Sequence, residues 1–340
     1  MERPNGLVHK GINYDVGTNY DPGSLSRAVW HDATMRRELR VIKEDLHCNA
    51  ITVFGTDVER LVACATAARE LGLHVWLQPR LINSTQDEML DHMSQVAHAA
   101  EQLRAQYGKV ELNVGCELSV FTSGIIPGRT FEQRIARLGA MWMLSAWFNR
   151  RLNLLLAKAA AVARSHFDGR TTYAAGLWER VDWSCFDIVG VNYYRYLFNE
   201  SNYVDGLRAF HRFGKPVVIT EFGCCSYDGA ERKGPAGEDI VDWSTPTPQL
   251  KGTYNRNESV QANYIADLID VFRAENVYGA FVFEFIDPAY PHSPDPQRDL
   301  DMASFGIVKA CPDGGGDADD GPHWEPKLAF HEIARRYAAL

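Results

Sequence analysis

The sequence contains no run of about 18 apolar residues, so nothing in it is long enough to cross a bilayer as a helix. Its first residues, MERPNGLVHKG, lack the apolar core of a secretory signal. It has no basic stripe. The 35 Lys and Arg are scattered and outnumbered by 44 Asp and Glu, giving a net charge of −9. That balance argues against a nucleic-acid partner. It has neither HExxH nor paired CxxC spacing, so no metal site built on those motifs is expected, and no cofactor is implied. GINYDVG, after the first apolar run, is not GxGxxG, which disfavours a dinucleotide fold. The seven cysteines are odd in number and irregularly spaced, and Cys224-Cys225 is a vicinal pair. They read as reduced thiols of a cytoplasmic protein.

What is present is ordinary globular composition: 340 residues, 46% hydrophobic and 23% charged. That length fits two average domains or one large α/β barrel. Short apolar runs alternate with longer stretches of helical period. The strand-like runs are 9–15, 48–55, 73–81, 109–118, 171–178, 187–195, 215–223 and 278–287. Helical stretches separate them at 31–46, 57–71, 85–108, 130–167 (broken near Trp147–Asn149), 203–214 and 259–277, and 325–340 closes the chain. Trp147 reads as core. The strands are apolar on both faces, as parallel strands covered by helices must be. Eight β-then-α units predict a single (β/α)8 TIM barrel over 1–340. A doubly wound open sheet is the alternative. Long loops follow strand seven (225–257) and strand eight (287–324), on the face where barrels carry their sites. PDGGGDADDG (312–321) reads as a solvated acidic turn, because its spacing does not match a calcium loop.

In a barrel the strand C-terminal ends converge on one mouth. Those ends supply Tyr14, Asp15, Gln78, Arg80, Cys116, Glu117, Trp178, Asn192, Tyr194, Glu221, Phe283 and Glu284. Aromatic rings and carboxylates suit a neutral polyhydroxylated ligand, and a phosphorylated one would want more than Arg80 and Arg195. Glu117 and Glu221 each end an apolar strand. VVITEFG (217–223) carries a carboxylate at the end of a run built for burial, where an unpaired charge costs several kcal/mol. Two such carboxyls facing each other split their roles into acid and base, the machinery of acetal hydrolysis. The bland alternative is that each belongs to a structural ion pair.

VGCEL (114–118) and VVITEFG stand at the ends of strands four and seven, and with VGVNYYR (189–195), GAFVFEFID (279–287), FGIVK (305–309) and EPKLAFHEI (325–333) the chain resembles the clan A glycoside hydrolases. The resemblance implies Glu117 as acid/base, Glu221 as nucleophile, and Asn192 and Tyr194 in the sugar site, with Tyr194 bonding Glu221. The remaining mouth residues are its candidate substrate contacts. A smaller set of uncharacterised bacterial barrels, sometimes labelled abortive infection proteins, is also similar. That label implies no chemistry. Three departures stand out. Cys116 precedes Glu117 where the clan has Asn, Thr52 falls where the clan has an arginine, and Phe283 stands for the platform Trp. Without that arginine Glu221 is less stabilised as an anion, unless Arg80 replaces it from the next strand. Arg80 could instead pair with Glu117 or Glu179.

The expected function is retaining hydrolysis of a small glycoside or oligosaccharide, with no nucleic acid or membrane involved and the oligomeric state open. Two alternatives stand beside it. The same Glu pair could rearrange, cyclise or transfer a specialised substrate, or the scaffold could be a non-catalytic carbohydrate-binding or phage-defence protein.

Overall fold

The computed structural model describes residues 6–20, 23–311 and 323–340. The acidic segment 312–321 therefore lies outside the described residues. Along the chain run β1 (His9–Asp15), α1 (Asp32–Glu44), β2 (Ala50–Gly55), α2 (Val58–Glu70), β3 (His74–Pro79), α3 (Gln86–Tyr107), β4 (Val110–Cys116), α4 (Leu118–Phe121), α5 (Phe131–Leu138), α6 (Ser145–His166), β5 (Thr171–Ala175), β6 (Val189–Asn192), α7 (Tyr203–Phe210) and β7 (Val217–Phe222). A small hairpin of β8 (Val241–Asp242) and β9 (Gln249–Leu250) follows, then α8 (Glu258–Ala274), β10 (Gly279–Val282), β11 (Val308–Cys311), β12 (His323–Pro326) and α9 (Leu328–Ala338). Strands β1 to β7 and β10 pair in parallel and close into an eight-stranded barrel, with β10 bonded to both β7 and β1. Closure rules out the doubly wound sheet. No helix among the described residues is long and apolar enough to cross a membrane.

Local chemistry sets the helix starts. Asp57 caps α2 by accepting from the Arg60 N–H at 3.0 Å, and Thr85 with Glu88 forms a full capping box on α3. Inside the barrel Ala50, Trp76, Val218 and Phe281 pack as one buried layer. Gly11 faces the Phe281 ring so closely that a Cβ there would collide with it. Side chains this size contribute about 1.5–3 kcal/mol each when buried.

Four expectations about elements need correction. The stretch 130–167 breaks at Gly139 and a 3₁₀ turn at Trp142–Leu144, ahead of the expected position, and Trp147 on α6 is 44% exposed rather than core. Strand five stops at Ala175, not 178. Glu179 folds the chain back at that point: its N–H donates to the Gly176 carbonyl at 2.9 Å and its carboxylate accepts the Gly176 N–H at 3.0 Å. Strands six and eight are likewise shorter, 189–192 and 279–282 in place of 187–195 and 278–287.

The long loops after β7 and β10 are tied together. Arg256 pairs with Asp299 at 2.8 Å and Asp301 at 2.6 Å, and Asp301 also meets buried Lys327 at 2.9 Å. The Ser226 N–H donates to the Met302 carbonyl and the Leu250 N–H to that of Gln297.

Candidate active site

Glu221 is the penultimate residue of β7 and only 6% exposed. Its Oε1 accepts from Arg80 Nη2 at 2.6 Å and from the Cys116 thiol at 3.5 Å, and its Oε2 accepts from the Tyr194 hydroxyl at 3.3 Å. Arg80 is aimed by Gln78, whose Oε1 accepts from Nη2 at 2.6 Å, by the Tyr20 hydroxyl at 3.0 Å from Nη1, and by the Phe54 ring 4.1 Å beneath its guanidinium carbon. Of the roles left open for Arg80, replacement of the missing strand-two arginine is the one seen. The guanidinium arrives from the end of β3 instead of β2, and it pairs with neither Glu117 nor Glu179.

Glu117 follows β4 in a left-handed conformation, φ 41°, and starts α4. The short helix is held by Glu179, which accepts from the Ser119 N–H at 3.1 Å and the Tyr173 hydroxyl at 2.8 Å. Asn192 Nδ2 donates to Glu117 Oε1 at 3.0 Å, and its own Oδ1 accepts from the Thr220 hydroxyl at 2.8 Å. Burial, and next the charge of Glu221, push the Glu117 carboxyl up to about 8.

Above these groups opens a cavity of about 1290 Å³. Of the residues named from the sequence, Asp15, Arg80, Cys116, Glu117, Tyr194, Glu221, Phe283 and Glu284 line it. Asp15 spends its carboxylate on the loop behind it, accepting from the Gly17 N–H and the Thr18 and Ser26 hydroxyls. Four named residues are not brought to the cavity. Tyr14 alternates with Asp15 along β1 and so points outward, where its hydroxyl donates to Glu38 and meets Arg27. Gln78 and Asn192 lie one layer down, bonded to Arg80 and Glu117. Trp178 sits on the Glu179 turn and donates to the Ser119 hydroxyl at 2.9 Å, away from the mouth.

Tyr20, Glu238, Trp243, Tyr290 and Phe305 also line the cavity. They come from loops, whose path no periodicity encodes, so strand-end reasoning could not collect them. Among the described residues no three of His, Cys, Asp and Glu are arranged to hold a metal ion.

No family model matches the chain, and no curated protein matches it by sequence. Solved structures do match. A complex of a GH113 β-1,4-mannanase superposes with a TM-score of 0.62 at 15% identity, over 98% of this chain and 100% of that one. The GH113 β-mannanase AaManA from Alicyclobacillus acidocaldarius gives 0.61 at 16%, over 99% of each. A glycoside hydrolase family 5 enzyme from Prevotella bryantii gives 0.53 at 10%, over 97% and 96%. At such identities the likeness is one of fold. The abortive-infection resemblance gains no support from these comparisons. The chain has the closed (β/α)8 barrel of the clan A glycoside hydrolases, the clan that the order of its strand-end segments resembles.

Proposed function

We propose that this chain is a retaining glycosidase of small glycosides or oligosaccharides, acting as one catalytic domain, with Glu221 as nucleophile and Glu117 as acid/base. The observation that carries the reading is the contrast between the two carboxyls. Glu221 is paired with a guanidinium, and Glu117 is kept protonated by burial and by the charge of Glu221. In the first step Glu221 attacks the anomeric carbon, the bond to the leaving oxygen breaks, and Glu117 gives that oxygen its proton. In the second step Glu117 takes a proton from water, whose oxygen displaces Glu221 from the sugar. Tyr194 and Arg80 orient the nucleophile, and Asn192 orients the acid. The reading needs no metal or cofactor. The mannanases among the structural matches make β-1,4-linked oligosaccharides the first ligands to try.

A second reading, group transfer by the same pair, is favoured by Cys116, which puts a weak thiol donor where the resemblance wants an amide. Intact-mass analysis after incubation with a panel of activated 2-fluoro glycosides tests the proposal. The expected result is a covalent sugar adduct mapped to Glu221 and absent from Glu221→Gln. A folded wild type left unlabelled by every sugar overturns it.

A further inference from the structure

A second group of carboxyls lines the same cavity and has no part in the proposed chemistry. Glu284 lies two residues beyond β10, on the side of Glu221 away from Glu117. It is 5% exposed and its Oε2 has no hydrogen-bond partner among the described residues. Asp287 and Glu238 line the cavity with it. No Lys or Arg among the described residues forms a salt bridge with any of the three. The cations of the lining are spent elsewhere: Arg80 on Glu221 at 2.6 Å, Arg27 on Glu38 at 2.9 Å, and Lys251 on the Asp239 carbonyl at 2.6 Å. A buried carboxyl without a donor is a costly arrangement that a ligand can relieve.

The ligand that relieves it is a cation. Hydroxyl groups could also bond a protonated Glu284, but only a cation lets neighbouring carboxyls ionise together. Among the described residues no three ligating side chains converge as a metal's donor set would. An ammonium group needs only one or two carboxyl oxygens in direct contact, and aromatic faces add to its binding. Tyr290 and Trp243 form that wall, edge to face at 5.3 Å, with Trp243 51% exposed.

We infer that Glu284, Asp287 and Glu238 form a subsite for a protonated amine, so that the preferred ligand is an amino-sugar glycoside whose ammonium lies on the sugar unit held at Glu221. The inference rests on the reading of the site as a glycosidase. Position places the amine on that sugar unit: β10 adjoins β7, whereas Glu117, which would serve the leaving group, lies on the far side.

Proton release supplies an independent signature. Burial, and next Asp287, push the Glu284 carboxyl well above its usual range, while burial raises Asp287 to about 7. Glu284 faces Asp15, Asp287, Glu238 and Arg80, and Asp287 faces Asp15, Asp301 and Lys327. An incoming ammonium favours the ionised forms, so binding near neutral pH must expel protons.

Glu117→Gln, which keeps the Glu221–Arg80 pair, is titrated calorimetrically with amino-sugar glycosides of gluco, galacto and manno configuration, each beside its neutral parent. At least one amino glycoside is expected to bind about tenfold or more tightly than its parent, releasing protons in buffers of different ionisation heat. Adding Glu284→Gln should bring the ratio of amino to neutral affinity to about one, and Asp287→Asn serves if that protein does not fold. Equal affinities, a preference that survives both substitutions, or no binding of any pair overturns the subsite. The two readings fail separately. Labelling of Glu221 by a neutral 2-fluoro sugar without amine preference removes the subsite alone. Amine preference without labelling by neutral or amino 2-fluoro sugars removes hydrolysis alone.

Discussion

The guanidinium of Arg80 meets the carboxylate of Glu221 at 2.6 Å, joining the ends of β3 and β7, with both side chains under a tenth exposed. Removing one partner leaves the other as a buried, unbalanced charge. Arg80→Met is expected to cost about 3–5 kcal/mol in urea unfolding and to lower kcat/KM on any glycoside that labels Glu221 by about a hundredfold. Arg80→Lys should recover only part of either loss, because an ammonium cannot engage Gln78, Tyr20 and Glu221 in one planar fork. Wild-type stability in Arg80→Met would show that the pair carries no net weight.

The raised carboxyl of Glu117 fixes two pH dependences. Its protonated form gives the leaving group a proton, so the rate should fall as pH rises through about 8. Stability runs the same way. The ordinary value of 4.5 applies to the unfolded chain, and between there and about 8 the native state holds the proton that the unfolded state has lost. Stability therefore declines as pH rises across that window. Glu117→Gln should abolish the basic limb of the rate profile and make the decline shallower, with Glu284 and Asp287 keeping part of it. Urea midpoints of both proteins, compared across the window, check the second part.

Tyr14 is a strand-end residue that serves the wall rather than the mouth. Its hydroxyl shares Glu38 with Arg27 in a buried trio behind β1. Tyr14→Phe should lower stability by about 1.5–3 kcal/mol, the range for a hydrogen bond to a charged group, and leave kcat/KM within about twofold. A large kinetic loss with little change in the unfolding midpoint would contradict that placement.

Thiol chemistry reports on packing. Cys48, Cys64, Cys116, Cys224 and Cys225 are buried, and burial raises each of their thiols, whereas Cys185 and Cys311 are partly exposed. Titration of the native protein with a thiol-specific disulfide reagent should show two fast groups, and all seven after unfolding. Rapid modification of Cys116 would mean that the floor beneath Glu221 opens in solution.

The barrel was legible because its signal is periodic. Apolar runs of strand length separated by helical stretches leave few alternatives once eight repeat, and the carboxylates at the ends of strands four and seven stood out against apolar neighbours. Ends were less legible than bodies. Nothing in TTYAAGLW announces that Glu179, beyond it, folds back to bond Gly176 and ends the strand at Ala175. The alternation of Tyr14 with Asp15 was available to pattern reasoning, and it bars both from facing one cavity. The arginine for Glu221 was harder to place from sequence, because a long side chain reaches across a strand and spacing alone does not choose its partner. Glu238, Trp243 and Tyr290 sit in loops whose course is set by contacts such as Arg256 with Asp299 and Asp301, and no local rule encodes those.

Those cross-ties between the two long loops have a consequence for anyone who would redesign the pocket. The loop after β7 supplies Glu238 and Trp243 and the loop after β10 supplies Asp287 and Tyr290, and Arg256 binds one to the other. Grafting either loop alone from a relative would break the Arg256 bridge, leaving Asp301 to Lys327 and Asp299 to His292. The two loops are one exchangeable cassette, and selectivity can be transplanted only by moving both halves together.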